Sequence, residues 1–465
     1  MHYLLLLMLG LPLAALGQDS TTEFTQEQLI WFVKKYHPVS VQGALFLKEG
    51  ESTVRKARGA FDPYLFTQLD QKYFKDKTYF SILNGGLKVP TWYGVEVKAE
   101  FEKNKGLFLN PENKVPLSGL WKVGVSVPIG KGLFIDKRRA ILKQAKLFAE
   151  SVQAEQQKLM NDLYYDAIQH YWKWVGVWHQ YQIYVESVQL ALTRFNAVKQ
   201  SFLLGDKPAI DTLEAFIHLQ NRMMDRNQYQ LLYQGATLEM STFLWFENNT
   251  PLEITDSLRP PVIEKINLIN AVSSDTLETF LTQLEATHPE MQLYRYQLTS
   301  MKVEKRLKIE GLKPKINLNY MLLNEPSGVD FINGLSSQNY KWGVEFGFPL
   351  FLRQQRGDLQ LTQLKMQKTE LGQQQKLLEL QNKVKDYYNK QISLQEQVVL
   401  FTGVVNNYRR LLQGERQKFN NGESSLFLIN SRERDLIQAR AKLIELLVNF
   451  NTARMGLYWA VGRLY

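Results

Sequence analysis

The apolar positions of this chain change period along its length, and they do so twice. Ile316, Leu318, Tyr320 and Leu322 alternate with Asn317, Asn319 and Met321, and Tyr340, Trp342, Val344, Phe346 and Phe348 alternate with Lys341, Gly343, Glu345 and Gly347. Earlier, Val95, Val97, Ala99 and Phe101 alternate with Glu96, Lys98 and Glu100, and Trp121, Val123, Val125 and Val127 with Lys122, Gly124 and Ser126. A period of two predicts strands with one apolar and one polar face. A soluble antiparallel sheet with one wet face and a membrane barrel both alternate in this way. Downstream of each strand region the period becomes helical. Leu380, Val384, Tyr387, Leu394, Val398, Phe401, Val405, Tyr408 and Leu412 keep a 3-4 spacing, with a polar Gln391 inside the seam. That is a coiled-coil pattern. It predicts a helix over 353–418, a rod of roughly 100 Å at 1.5 Å per residue, with a match over 136–203.

The doubling extends to the punctuation. His37-Pro38 is followed 25 residues later by Pro63, and His288-Pro289 is followed 25 residues later by Pro314. Proline is tolerated at the first helical position and just past a helix end, so each copy opens with a proline-bounded helix. Each long helix then meets a glycine turn, SFLLGDKPAIDTLEA around Gly205 and KFNNGESSLFLINS around Gly422. Glycine suits the left-handed residue that closes a helix. Return helices are expected over 209–245 and 425–462. The predicted organisation is 18–249 for the first repeat, 250–275 for a linker and 276–465 for the second repeat.

Composition narrows the chemistry. Cysteine is absent from the 465 residues, which excludes disulfides, thiolate metal sites, cysteine nucleophiles and a lipidated cysteine. An apolar run from Tyr3 to Leu13, followed by Ala15 and Gly17, has the spacing of a signal peptide over 1–17. No other run reaches 18 apolar residues, which argues against helical membrane spans. The net charge of +10 suits acidic membrane surfaces or acidic partners. Nucleic acid is not expected as a partner, because no basic cluster is interleaved with stacking aromatics.

Taken in order, these features resemble the TolC-like outer-membrane efflux proteins. The residues that carry the resemblance are the signal peptide, the paired His-Pro and Pro stops, and the strand-to-helix joints Val-Ser-Val-Pro-Ile at Pro128 and Gly-Phe-Pro-Leu-Phe at Pro349. To these add the Phe-x-x-Gly turns Phe202/Gly205 and Phe419/Gly422. The resemblance implies a mixed α/β membrane protein with two internal repeats per chain. A shared transmembrane β-barrel would continue into a long periplasmic α-helical coiled-coil tunnel, in the outer membrane of a Gram-negative bacterium. It implies a homotrimer, a periplasmic adaptor (membrane fusion protein) and an inner-membrane transporter of the RND, ABC or a similar class. The implied function is the passive exit duct of a tripartite efflux or type I secretion system, with no enzymatic activity and no cofactor. Physical chemistry agrees on one point: a few strands cannot close a barrel, and unpaired backbone in lipid costs several kcal/mol per group, so strands from several copies must pool. One departure stands out. Pro63 to Pro128 spans 65 residues against 35 from Pro314 to Pro349, which fits either an extra hairpin or a long strand-loop insertion.

The resemblance also directs attention to the tips. Gate candidates are Leu428 and Ser431, six and nine residues after Gly422, and Asp211 and Glu214 at the same offsets from Gly205. Leu428 is expected to form an apolar constriction, with the two acids as a secondary acidic feature. Adaptor contacts are expected at Leu204, Gly205, Asp206, Asn421, Gly422 and Glu423. The aromatic stretch around Trp172, Trp174 and Trp178 is read as filler between helices, because the nine residues between His170 and His179 put the two rings on different sides of one helix. No catalytic or metal-binding residues are assigned. The rival reading is an exported coiled-coil scaffold or adhesin with a soluble β-sheet domain.

Overall fold

The computed structural model describes residues 22–464 apart from 256, 263–270 and 327–335; the expected signal peptide lies outside the described residues. The chain forms two compact units. One comprises Phe46–Ala154 with Gln292–Gln374, and the other Glu155–Met291 with Gln375–Tyr465 and the segment that ends at Leu45.

The first unit holds six strands: β1 (Tyr64–Phe74), β2 (Lys77–Pro90), β3 (Glu96–Lys105), β4 (Leu120–Pro128), β5 (Lys315–Asn324) and β6 (Tyr340–Gly347). They form one antiparallel sheet in the order β6-β5-β4-β3-β2-β1, so the first repeat supplies four strands and the second two. The long spacer between Pro63 and Pro128 is therefore an extra hairpin. Its distal loop is Lys75-Asp76, both with positive φ (50° and 59°), the backbone of a two-residue hairpin turn whose twist matches the strands. The proximal turn joining β2 to β3 contains Gly94 at φ 88°, with Trp92 stacked on Phe61 at 4.5 Å.

Strand register explains the alternation in the sequence. Leu65, Leu87, Ala99, Val123, Leu322 and Tyr340 pair in turn across all six strands. One residue along, the row is Tyr64, Lys88, Lys98, Gly124, Met321 and Lys341. Since successive side chains point to opposite faces, the first row lies on an apolar face and the second on a mainly polar one.

The described residues also form eight α-helices: α1 (Gln26–Tyr36), α2 (Pro38–Arg58), α3 (Lys137–Leu203), α4 (Ala209–Ser241), α5 (Ser274–Thr287), α6 (Pro289–Glu310), α7 (Arg353–Asn420) and α8 (Leu426–Val461). α3 and α7 are uninterrupted over 67 and 68 residues, close to their expected bounds. α4 stops four residues before the expected end, because Trp245-Phe246 turns into a two-residue ladder with Thr250-Pro251. Part of the expected linker is packed: Leu252 and Leu258 are buried, and Leu258-Arg259 pairs in parallel with Thr22-Glu23.

The two His-Pro steps are the same device. Each histidine ends one helix, His37 after α1 and His288 after α5, and each ring Nδ1 accepts the backbone N–H two residues on, from Val39 and Glu290, both at 3.2 Å. The ring satisfies one of the unpaired N–H groups that begin the next helix, where proline has none to offer.

In the helical unit the core is aromatic beside α3 and aliphatic along α7. Trp174 and Tyr171 are fully buried; the Tyr171 hydroxyl donates to the Phe24 carbonyl and Trp172 Nε1 to Gln26 Oε1, both at 2.9 Å. The aromatic stretch is thus core. His170 pairs with the Asp166 carbonyl and His179 with the Pro261 carbonyl, and no group of three metal-ligating side chains occurs among the described residues. On α7 the expected seam is buried at Leu380, Val384, Gln391, Val398, Val405 and Leu412. No described helix is long and apolar enough to cross a membrane.

Candidate channel tips and strand-to-helix joints

Two helix reversals sit at Gly205 and Gly422, and their backbones match. Both glycines have φ 80°; Gly205 N–H donates to Phe202 and Gly422 N–H to Phe419, each at 3.0 Å. The next residues donate five back, Asp206 to Ser201 at 2.9 Å and Glu423 to Lys418 at 2.8 Å. This is the glycine-closed helix end that satisfies the last free carbonyls. A Cβ at either glycine would meet no atom within 4 Å, so left-handed φ is the whole reason for glycine there. Leu204, Gly205, Asp206, Asn421, Gly422 and Glu423 all lie on these two turns.

The side chains around the turns differ. Beside the second turn, the Arg194 guanidinium grips the Glu433 carboxylate with two hydrogen bonds (2.6 and 3.1 Å) and donates to Asn430 Oδ1 at 2.8 Å. Glu433 and Asn430 are buried, and Arg416 approaches Glu433 at 3.5 Å. Asn430 Nδ2 in turn reaches Glu214 Oε1 at 3.4 Å. Ser425 caps α8 by accepting the Leu428 N–H, and Ser424 donates to Glu415 at 2.5 Å.

Of the gate candidates, Glu214 alone enters this network. The Asp211 carboxylate lies 3.9 Å from Lys207 on a part-exposed surface. Leu428 is 38% exposed, so within the chain it is not core, and Ser431 receives Arg434 at 3.5 Å. The offsets from the glycines fall on the return helices near this network but do not reach Arg194, Asn430 or Glu433. The signal available was Arg194, a guanidinium eleven residues before Gly205 in a helix face otherwise lined by Phe195 and Val198. Nothing in the sequence paired it with Glu433.

The joints at Pro128 and Pro349 are built differently from one another. Pairing does not stop at Pro128, as Ile129 N–H donates to Ile316 at 2.8 Å and Lys131 N–H to Pro314 at 2.7 Å. Buried Glu310 then accepts from Gly132 and Phe134 N–H at 3.2 and 3.3 Å and pairs with Lys313 at 2.7 Å, while Asp136 caps α3 through Arg139 N–H. At the other joint β6 ends at Gly347, two residues before Pro349, and Leu352 takes a positive φ of 48° just before α7.

One further pattern is exposed. Ile210, Ile217, Met224, Leu231 and Leu238 recur every seventh residue along α4, and all five are exposed in the single chain. A seven-residue apolar stripe is the seam by which one helix coils on another.

Comparison with known proteins agrees with this architecture. Residues 280–463 match the family model described as outer membrane efflux protein. No curated protein matches the chain. Among solved structures, the CmeC outer membrane channel of Campylobacter jejuni matches with a TM-score of 0.64 at 12% identity, over 98% of this chain and 94% of that one. VceC of Vibrio cholerae matches with a TM-score of 0.65 at 12% identity, over 94% and 96%. The open state of the MtrE channel of Neisseria gonorrhoeae matches with a TM-score of 0.66 at 12% identity, over 94% and 88%. The whole chain therefore has the fold of a TolC-like outer-membrane channel. Its second repeat carries the sequence signature of the outer membrane efflux proteins.

Proposed function

We propose that this chain is the outer-membrane exit duct of an efflux or type I secretion system, conducting substrates passively outward and extending into the periplasm. Three copies pool their strands into one barrel, and a periplasmic adaptor and an inner-membrane pump of the RND, ABC or a similar class supply the substrate and the energy. The observation that carries this reading is the sheet. One face is apolar on all six strands in the row from Leu65 to Tyr340, and neither edge strand has a second partner among the described residues. The exposed heptad stripe on α4 supports assembly of the helical part by the same argument, since apolar seams of this kind close on a second helix.

Outer-membrane fractionation, heat-modifiable migration as an SDS-resistant trimer and a conducting pore in a planar bilayer are the expected outcomes. Recovery as a soluble monomer would overturn the duct and favour a scaffold.

Gating is assigned to the tips. The exposed Leu428, repeated in three copies, forms an apolar constriction that resists ions by dewetting. Asp211 and Glu214 add acidic charge nearby, Ser431 lies one turn further along α8, and the Gly205 and Gly422 turns meet the adaptor. Leu428→Ser is expected to raise single-channel conductance several-fold. An unchanged conductance removes Leu428 as the gate.

A further inference from the structure

We infer that each chain contributes all six strands to the barrel wall, so that β1 of one copy pairs with β6 of the next and three copies close eighteen strands. This inference rests on the trimeric duct reading. It concerns where the copies meet and how wide the pore is.

The alternative is that only β3 to β6, two strands from each repeat, form the wall, while the β1–β2 hairpin stands apart from it. Register argues against that. Leu65 on β1 and Leu87 on β2 lie in the same row as Ala99, Val123, Leu322 and Tyr340. A slip of one residue anywhere in the hairpin would carry its apolar side chains to the opposite face. The hairpin is in phase with the wall, and β2 hydrogen-bonds to β3 from Ser81 to Pro90, leaving β3 no free edge for another copy.

The free edges are β1 and β6, and they carry the exposure expected of missing neighbours. Leu65 is 77% and Phe346 69% exposed, whereas strands β2 to β5 are mostly half-covered. Neither edge strand carries an internal proline, and the bulge in β1 between Lys72 and Tyr73 lies at its distal end, leaving Tyr64 to Gln71 in unbroken register. An even number of antiparallel strands makes the two edges run in opposite directions. A rotated copy therefore offers β6 antiparallel to β1, and closure follows without a parallel seam. In lipid, unpaired edges are not tolerated, so the edges are either joined or the sheet does not span. Barrels of sixteen to eighteen strands leave an aqueous channel, which suits a duct.

The chain has no cysteine, so paired cysteines report cleanly. Within one chain β1 and β6 are separated by four strands, roughly 24 Å at the usual strand spacing. Any cross-link between them must join two copies. Leu65→Cys or Leu69→Cys combined with Trp342→Cys, Val344→Cys or Phe346→Cys, oxidised in outer-membrane preparations, is expected to give covalent dimers and trimers for at least one pairing. Each single variant should give none. Covalent oligomers from Val97→Cys on β3 with Val344→Cys, and none from β1, would overturn the inference in favour of twelve strands. Because a double variant can fail to assemble, the wild-type oligomer supplies a second readout. Backbone amides of β1 should resist hydrogen exchange as strongly as those of β3, and free exchange along β1 in an intact trimer overturns the inference. Absence of any trimer is a different result, which defeats the duct reading itself.

Discussion

The two helix reversals share one backbone and differ in everything attached to it. At Gly205 and Gly422 the φ angles are equal, the same hydrogen bonds close the helix, and neither glycine is crowded. Yet buried charge gathers against the second return helix, where Arg194 of α3 holds Glu433 and Asn430. Of the acids on the first return helix, Glu214 joins this network through Asn430 at 3.4 Å, and Asp211 lies 3.9 Å from Lys207 at the surface. Geometry that any helix end needs is repeated. Electrostatics that only one tip needs is not.

The sharpest way to break this contrast is to remove the buried partner. Arg194→Ala leaves the Glu433 carboxylate buried without its bidentate guanidinium. Breaking such a pair costs about 3–5 kcal/mol, far more than the intact pair contributes. Thermal unfolding of the assembled protein should register this loss, and the double variant Arg194→Ala/Glu433→Leu should recover most of it. Equal losses from Arg194→Ala and Lys207→Ala would abolish the distinction between the tips.

Next in size is an effect of acid on the His-Pro joints. Burial pushes His288 down to about 4, and Glu290, Asp162, Lys376 and Lys383 are the charges around it. Its Nδ1 must stay unprotonated to accept the Glu290 N–H. Between pH 6.5 and 4 the unfolded chain thus binds a proton that the folded chain refuses. Stability from this group is complete above pH 6.5 and falls as the pH drops toward 4, by roughly 3 kcal/mol at the lower end. His288→Asn retains an acceptor that does not titrate, and should flatten the melting temperature against pH relative to wild type. His37, the counterpart in the first repeat, is also lowered by burial but is less enclosed, so His37→Asn should change the slope less.

Valine in place of either turn glycine forces a β-branched side chain into left-handed backbone. The expected loss is about 1–3 kcal/mol. Since a Cβ meets nothing at either site, Gly205→Val and Gly422→Val should lose equal stability in unfolding measurements. If efflux falls more for one than the other at equal stability, the difference locates the adaptor contact on that tip.

These comparisons also mark how far the sequence could be read. The repeated parts were legible because each rests on local chemistry: proline after histidine, glycine after a long seam, alternation in a strand. The β1–β2 hairpin was not, because its turn is Lys75-Asp76 rather than the asparagine-glycine or aspartate-glycine pair that favours positive φ, and Gly85-Gly86 interrupts the alternation in β2. At the tips, an offset from glycine finds residues on the same helix. It cannot find Arg194 and Glu433, which are 239 residues apart and meet only through packing.

Lys207 and Asp211 sit 3.9 Å apart with both side chains more than a quarter exposed. Surface pairs of this kind contribute between zero and about 1 kcal/mol, because water and salt screen them and holding two long side chains costs entropy. Asp211→Asn should therefore leave thermal stability within about 1 kcal/mol of wild type. If the acid matters, it does so through the pore: three copies would place three carboxylates near the constriction, and Asp211→Asn should lower cation over anion selectivity in reversal-potential measurements. Loss of several kcal/mol with selectivity unchanged would reassign Asp211 from the pore to the fold, and the two tips would then be electrostatically alike.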